Sequence, residues 1–153
     1  MFNGDSINGV IWQQIFWQLI SVTYISSMIK IMVVDDEQDV ELLFRQKFRK
    51  ELKNGEYEFH FAFNGEDALH YLHTHDPCDL VLVLSDINMP GMTGLELLRI
   101  IRAEYPHLRV MMITAYGDQG NLSKAIETGA SDFLTKPVDF TMLKEKIHML
   151  TPS

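Results

Sequence analysis

The hydrophobic pattern of the chain changes its period repeatedly after residue 28. Short apolar runs rich in β-branched residues, which favour strands, alternate with stretches in which apolar residues recur every three or four positions, as on helices. The first strand is predicted over Ile29–Val34 and the second over Tyr57–Phe63, where apolar and polar residues alternate as at a sheet edge. The run from Leu80 to Leu84 does not alternate, which predicts a central strand covered on both faces.

Helix signals fill the intervals between the strands. Asn64 is a candidate N-cap, and Thr93 with Glu96 has the spacing of a capping box. A weaker helix carries Gly120 inside it and is expected to end at Gly129. The pattern therefore predicts five helices, over residues 40–52, 65–73, 95–105, 117–128 and 140–150.

Five strand–helix units joined by short connections indicate one fold class. Two further apolar runs, over residues 109–113 and 131–135, complete the set of strands. The prediction is an α/β domain with a doubly wound, five-stranded parallel sheet in the order 2-1-3-4-5 and helices on both faces, about the size of a flavodoxin-like domain.

Composition divides the chain near Met28. Residues 1–27 contain Asp5 as their only charged residue and hold both tryptophans, whereas every Lys and Arg lies from Lys30 onward. We interpret residues 1–27 as an atypical apolar extension and residues 28–153 as the domain. An accidental or loosely attached extension is favoured, an amphipathic docking helix comes second, and membrane contact through residues 6–29 third. A start at Met28 is a further alternative.

Charge and cysteine content narrow the functional classes. A net charge of −8 with a pI near 5.1 argues against direct binding of nucleic acid or of an anionic membrane. The single cysteine, Cys78, excludes an internal disulfide and favours a reducing, cytoplasmic location.

Polar side chains capable of chemistry stand at the ends of four of the predicted strands. Asp35 and Asp36 follow the first strand, Asp86 the third, Thr114 the fourth and Lys136 the fifth. Parallel strands bring their carboxyl ends to one edge of the sheet, so these groups are expected to share a pocket. Carboxylates placed this close repel one another unless a cation holds them, and an all-oxygen set suits Mg²⁺.

The predicted pocket has the parts required for phosphoryl transfer. A carboxylate can act as a nucleophile and form an aspartyl-phosphate, and the reaction mainly needs alignment and neutralisation of the phosphoryl oxygens. Asp86 is the predicted acceptor, since a metal ion, the Lys136 ammonium and the Thr114 hydroxyl could each take one of those oxygens.

Four motifs carry a resemblance to a known family. They are VVDDE (residues 33–37), SDINMPGMTG (85–94), ITA (113–115) and FLTKP (133–137). In this order and spacing, the chain from about Met28 to Ser153 resembles a response-regulator receiver domain of the two-component, chemotaxis-regulator-like type.

The resemblance implies a role for each matching position. Asp86 matches the phosphorylated aspartate and Lys136 the phosphate-binding lysine, whose bond to Pro137 is expected to be cis. Thr114 and Phe133 match the switch pair. The other matches are Asp36 as a direct metal ligand, Asp35 as the second acidic residue, Asn88 as a ligand through its backbone carbonyl, and Ala115 as the small residue beside the phosphoryl group.

The resemblance also implies partners. The phosphoryl donor would be a phosphohistidine on a sensor histidine kinase or a histidine phosphotransfer protein. Phosphorylation would remodel the face formed by the fourth helix, fifth strand and fifth helix, which would then control a downstream protein or support a homodimer. Such a domain is not a conventional enzyme, because it promotes only its own phosphorylation and dephosphorylation.

Three other functions compete with this interpretation. An aspartyl-phosphate phosphatase requires a second Asp two residues after the nucleophile, where this chain has Asn88. A flavodoxin-like cofactor carrier requires a first loop rich in Ser, Thr and Gly rather than acids. A receiver domain that acts as a scaffold without being phosphorylated is the remaining alternative, and the complete acidic pocket argues against it.

Overall fold

Five parallel strands form one sheet in this computed structural model, which describes residues 11–16 and 28–150. The strands lie in the order β2-β1-β3-β4-β5, and each neighbouring pair is parallel. The predicted α/β class and the strand order are therefore confirmed. The strand bounds are β1 Ile29–Val34, β2 Tyr57–Ala62, β3 Leu82–Asp86, β4 Arg109–Thr114 and β5 Asp132–Thr135.

Burial of the strands follows their positions in the sheet. All five residues of the central strand β3 are buried, whereas the edge strand β2 has an exposed Glu58 between the buried Tyr57 and Phe59. Strand β3 begins two residues later than the apolar run that predicts it. The reason is local, because Leu80 closes a 3-10 turn by donating its N–H to the carbonyl of Pro77 at 3.2 Å.

Six helices lie on the two faces of the sheet within residues 28–150. The predicted first helix is divided at Phe48, whose φ of −104° and ψ of 22° depart from helical values, so the predicted fourth and fifth helices are α5 and α6. The helix bounds are α1 Asp39–Lys47, α2 Arg49–Lys53, α3 Gly65–Thr74, α4 Gly94–Glu104, α5 Gln119–Thr128 and α6 Phe140–Leu150.

The predicted helix caps are present. The Asn64 side chain accepts a hydrogen bond from the N–H of Asp67 at 2.7 Å, at the start of α3. Thr93 and Glu96 form the reciprocal hydrogen bonds of a capping box at the start of α4. These bonds satisfy backbone donors that the first turn of a helix leaves without partners.

Helix α5 begins at Gln119, two residues later than predicted. Gly117 has a φ of +86°, which lies outside the helical region, and Asp118 caps the helix by accepting from the N–H of Asn121. Gly129 ends the helix with a φ of +110°, a left-handed conformation that glycine adopts without a steric penalty.

Alternate residues of the strands point to opposite faces of the sheet and contribute side chains to two separate hydrophobic cores. Met32 and Val34 of β1 pack with α3, α4 and α5, while Ile31 and Val33 pack with α1 and α6. Phe48 lies in the second core, surrounded by the rings of its aromatic neighbours Phe44, Tyr57, Phe59 and Phe140. The predicted placement of helices on both faces is confirmed.

The N-terminal extension is described only at residues 11–16, which are helical. Their large apolar side chains are all exposed: Ile11, Trp12, Ile15 and Phe16. The rest of the predicted extension lies outside the described residues, as does most of the stretch considered for membrane contact. No helix in the described part of the chain is long and apolar enough to cross a bilayer.

Candidate functional site

The carboxyl edge of the sheet brings together the polar residues predicted from the strand ends. Asp35 follows β1 directly, Asp86 and Thr114 are the last residues of β3 and β4, and Lys136 comes directly after β5. The parallel register places Asp86 opposite Ile113 and Thr114 opposite Thr135. Lys136 is joined to the same edge through its backbone N–H, which donates to the carbonyl of Thr114 at 2.9 Å.

Three carboxylates form one compact cluster. One oxygen from each of Asp35, Asp36 and Asp86 lies within 4.8 Å of the others. Asp35 and Asp86 are each 4% exposed, whereas Asp36 is open to solvent. Hard divalent cations such as Mg²⁺ prefer oxygen ligands and retain several waters, so a cluster with two buried carboxylates and one open side is compatible with a metal ion.

Lys136 supplies the positive charge closest to this cluster. Its Nζ lies 2.8 Å from Oδ2 of Asp86, 3.8 Å from Oδ2 of Asp35 and 3.9 Å from Oε1 of Glu37. The first distance is that of a charge-assisted hydrogen bond, while the two longer ones are ion pairs without a direct bond. One ammonium therefore faces three carboxylates, one at the end of β3 and two in the loop after β1.

The burial of the site perturbs the protonation of its charged groups. Desolvation raises the pKa of Asp35 to about 6, although the N–H of Glu37 and the charge of Lys136 oppose the rise. For Lys136, burial works against the ammonium form, but the hydrogen bond to Asp86 and the neighbouring carboxylates prevail and raise its pKa. The site thus holds excess negative charge that one lysine only partly neutralises.

A backbone N–H of the loop after β3 donates a hydrogen bond to the Asp86 carboxylate. The N–H of Asn88 donates to Oδ1 of Asp86 at 3.2 Å, and the N–H of Gly94 donates to the carbonyl of Ile87 at 2.8 Å. Hydrogen bonds from Asn121 and the Asn88 side chain lower the pKa of Asp118, the cap of α5. A Cβ atom at Gly94 would lie 2.0 Å from the carbonyl oxygen of Asp86, so only glycine allows the loop to close this tightly.

Of the two residues implied as a switch, Thr114 ends β4 at the carboxyl edge of the sheet, and Phe133 lies within the neighbouring strand β5. Thr114 is 1% exposed, and its hydroxyl donates to the carbonyl of Ala115 at 3.4 Å. Phe133 is half-buried on the edge strand β5, where it pairs with Met112 of β4. The bond between Lys136 and Pro137 is cis, as the resemblance implies.

Two features of the site have no counterpart among the roles predicted from sequence. Glu37 contacts Lys136, and a third acid directly after Asp35 and Asp36 is the signal that could have indicated it. The close approach of Gly94 to Asp86 is the other. The glycine inside the motif around Asp86 is the signal that could have indicated it.

Known proteins resemble this chain over the residues that form the sheet and the acidic edge, by which we mean Asp35, Asp36, Glu37, Asp86 and Lys136 at its carboxyl end. Residues 31–148 match the model of the response regulator receiver domain. The chain is 33% identical over 123 residues to the chemotaxis protein CheY of Pseudomonas aeruginosa, covering 79% of this chain and 94% of the relative. It is 32% identical over 123 residues to sporulation initiation phosphotransferase F of Bacillus subtilis, covering 80% and 94%.

Longer relatives and solved structures match the same region. The response regulator FleR of Pseudomonas aeruginosa is 36% identical over 118 residues, but the match spans 77% of this chain and only 24% of that protein. The solved response regulator receiver domain protein from Clostridium thermocellum superimposes with a TM-score of 0.71 at 28% identity, covering 80% of this chain and 94% of that one. The family match covers most of the chain and includes every residue of the acidic edge, and so this chain belongs to the response regulator receiver domain family of two-component signalling.

Proposed function

We propose that Asp86 accepts a phosphoryl group from a phosphohistidine, in a Mg²⁺-dependent reaction of a phosphorelay. The donor would be a sensor histidine kinase or a histidine phosphotransfer protein. The observation that carries this proposal is the contact of 2.8 Å between Lys136 Nζ and Asp86 Oδ2 inside a cluster of three carboxylates. A buried carboxylate beside both an ammonium and a candidate cation site has the surroundings that an aspartyl nucleophile needs.

Each residue of the site has a defined part in this reaction. An oxygen of Asp86 attacks the phosphorus, the P–N bond to the donor histidine breaks, and its electron pair returns to the imidazole nitrogen. Lys136 neutralises one phosphoryl oxygen, and the Thr114 hydroxyl binds another after leaving the carbonyl of Ala115. When bound by Asp35, Asp36, Asp86 and the backbone carbonyl of Asn88, Mg²⁺ supplies further positive charge for the transferring oxygens.

The relatives support the same chemistry. Sporulation initiation phosphotransferase F, which this chain covers almost completely, is named for phosphoryl transfer. We propose that this chain likewise promotes only its own phosphorylation and dephosphorylation and has no other catalytic activity.

Phosphorylation would change a surface of the domain that binds another protein. Thr114 moves toward the phosphoryl group, beside the small Ala115, and Phe133 follows into the space that is freed, which remodels the face formed by α5, β5 and α6. This face would control a downstream protein or a second copy of the chain, without direct binding of nucleic acid. We place the receiver domain at residues 28–153, after an extension of residues 1–27, and its site of action in the cytoplasm.

Phosphorylation by a small donor tests the proposal directly. Incubation with acetyl phosphate and Mg²⁺ is expected to add the mass of one phosphoryl group, removable by hydroxylamine as an acyl phosphate is. Asp86→Asn should abolish the gain. Asp79→Asn is the matched control, because Asp79 is exposed in the turn before the opposite end of β3 and should leave the gain intact. No gain in the unaltered protein would favour the scaffold alternative.

A further inference from the structure

An apolar groove lies between α1 and α6 beside the carboxylate cluster. Its volume is about 820 Å³, within the range of cavities that bind ligands or large side chains. Much of its apolar lining comes from Val40, Leu43 and Phe44 of α1, from Phe140 at the start of α6 and from Val138 just before it. Leu43 remains 41% exposed, so part of this apolar surface faces solvent.

Charged side chains of both signs surround the apolar lining. Three acidic and three basic side chains line it: Asp35, Glu37, Asp139, Lys47, Lys136 and Lys144. Lys136 and Lys144 also pair with acids outside the lining, Asp86 and Glu51. An occupant with many charges of either sign would therefore meet like charges, whereas an uncharged apolar one would bury the exposed lining with little repulsion.

The N-terminal segment, residues 1–27, has the matching chemistry. Asp5 is its only charged residue. Within it, Ile11, Trp12, Ile15 and Phe16 occupy positions three and four apart on the described helix, and all four are exposed, with Trp12 at 70% and Phe16 at 60%. Large aromatic side chains gain more from burial than any others, so this exposed stripe has a strong drive to find an apolar surface.

The connection between the segment and the domain is long enough for contact within one chain. Eleven residues, 17–27, separate Phe16 from Met28, and a chain of that length spans at most about 36–40 Å. Strand β1 has six residues, a length of about 20 Å, and leads directly to Asp35 at the edge of the groove. The groove is therefore within reach of the segment.

We propose that the N-terminal segment docks into the groove between α1 and α6 of its own chain, with Trp12 and Phe16 as its anchors. Since Asp35, Glu37 and Lys136 belong to both the groove and the acidic edge, the docked segment lies beside Asp86 and restricts access to it. The docking itself requires no role of Asp86 in phosphorylation, whereas the restricted access to Asp86 rests on the proposal that Asp86 accepts a phosphoryl group.

Tryptophan emission of the full-length chain tests docking without any assumption about phosphorylation. Both tryptophans, Trp12 and Trp17, lie in the segment, so the signal carries no contribution from the domain. Leu43→Asp places a charge in the groove and is expected to lower the docked-to-undocked ratio about tenfold, equal to about 1.4 kcal/mol. Emission should then move to longer wavelength and become more accessible to acrylamide. Phe16→Asp should produce the same change from the other side of the contact.

Leu42→Asp is the matched control. Leu42 neighbours Leu43 on α1 and is 72% exposed, but it does not line the groove, so its substitution should leave the emission unchanged. Circular dichroism of each variant verifies that the domain remains folded. Equal responses to Leu42→Asp and Leu43→Asp, or no response to Leu43→Asp, would overturn the proposal. A response that appears only at high protein concentration, together with a dimer in size-exclusion chromatography, would also overturn it by assigning the groove to the segment of a second copy.

The rate of phosphorylation then tests whether docking restricts access to Asp86. If the segment restricts access, Leu43→Asp and Phe16→Asp should both accelerate labelling by acetyl phosphate, while Leu42→Asp should not. An emission change without faster labelling would retain the docking and overturn the restriction of access. A protein that is never labelled contradicts the phosphoacceptor proposal instead and leaves the emission result to decide on docking.

Discussion

Replacing Asp35 by Asn is expected to stabilise the metal-free protein. Asp35 is buried at 4% exposure, and desolvation raises its pKa from 3.8 to about 6. A rise of two pKa units corresponds to about 3 kcal/mol, at about 1.36 kcal/mol per unit, which the folded protein loses by keeping this carboxylate ionised. Asn is nearly isosteric and can still accept the hydrogen bond from the N–H of Glu37, which is 2.9 Å long. We expect Asp35→Asn to raise the free energy of unfolding by about 1–3 kcal/mol near neutral pH.

The dependence of this effect on pH follows from the direction of the pKa shift. Because the pKa of Asp35 is higher in the folded state, the folded protein holds the proton more tightly than the unfolded chain. The unaltered protein therefore loses stability as the pH rises from 3.8 through about 6, and the full cost is present above that range. The advantage of Asp35→Asn should accordingly shrink as the pH is lowered through 6 toward 3.8.

Urea denaturation followed by far-ultraviolet circular dichroism, in the presence of EDTA, measures the difference. Tryptophan fluorescence is unsuitable, because both tryptophans lie outside the domain. Asp79→Asn serves as the control, since Asp79 is exposed in the turn before the opposite end of β3 and its substitution should change stability by less than about 0.5 kcal/mol. Adding Mg²⁺ should stabilise the unaltered protein more than Asp35→Asn, because a cation favours the ionised carboxylate. Equal stability of the unaltered protein and Asp35→Asn in EDTA at neutral pH would refute the assigned cost of burial.

Four other substitutions probe the site and the sheet around it. Gly94→Ala would place a Cβ 2.0 Å from the Asp86 carbonyl oxygen and should cost about 2–4 kcal/mol of stability in thermal or urea unfolding. Gly120→Ala has no atom within 4 Å of the new Cβ and should gain up to about 1 kcal/mol. Similar values for the two variants would contradict the close approach of Gly94 to Asp86. Lys136→Met should slow labelling by acetyl phosphate about 100-fold by removing the ammonium that contacts Asp86, and an unchanged rate would exclude that role. His60→Gln should reduce the loss of stability on acidification. Burial and the charge of His75 lower the pKa of His60, so below pH 6.5 the unfolded chain takes up a proton before the folded protein does. Identical dependence of stability on pH in the two proteins would contradict this prediction.

The sheet and the position of the site were predictable because they depend on short stretches of sequence. The run from Leu80 to Leu84 is apolar on both faces and therefore predicted a central strand, and the alternation in β2 indicated an edge. Once the order of parallel strands is known, Asp35, Asp86 and Lys136 must meet at one edge, and the distances between them agree with that expectation. The capping box at Thr93 needs only a four-residue pattern.

Features that depend on tertiary packing were not predictable in the same way. The division of the first helix at Phe48 accompanies the complete burial of its ring among aromatic side chains from β2 and α6, which no helical periodicity reveals. The contact of Glu37 with Lys136 joins residues 99 positions apart (136 minus 37) through the direction of two flexible side chains. The direction of the Thr114 hydroxyl toward Ala115 is likewise a rotamer choice made by its surroundings.

The ammonium that contacts Asp86 comes from a residue 50 positions later in the chain, at the end of the last strand. During biosynthesis, β1 and β3 can leave the ribosome and pair while Lys136 is still unmade, so a nascent chain exposes its acids without their counterion. The contact between Lys136 and Asp86 therefore forms only when the final strand joins the sheet. A chain that ends before β5 therefore lacks the charge pairing between Lys136 and Asp86.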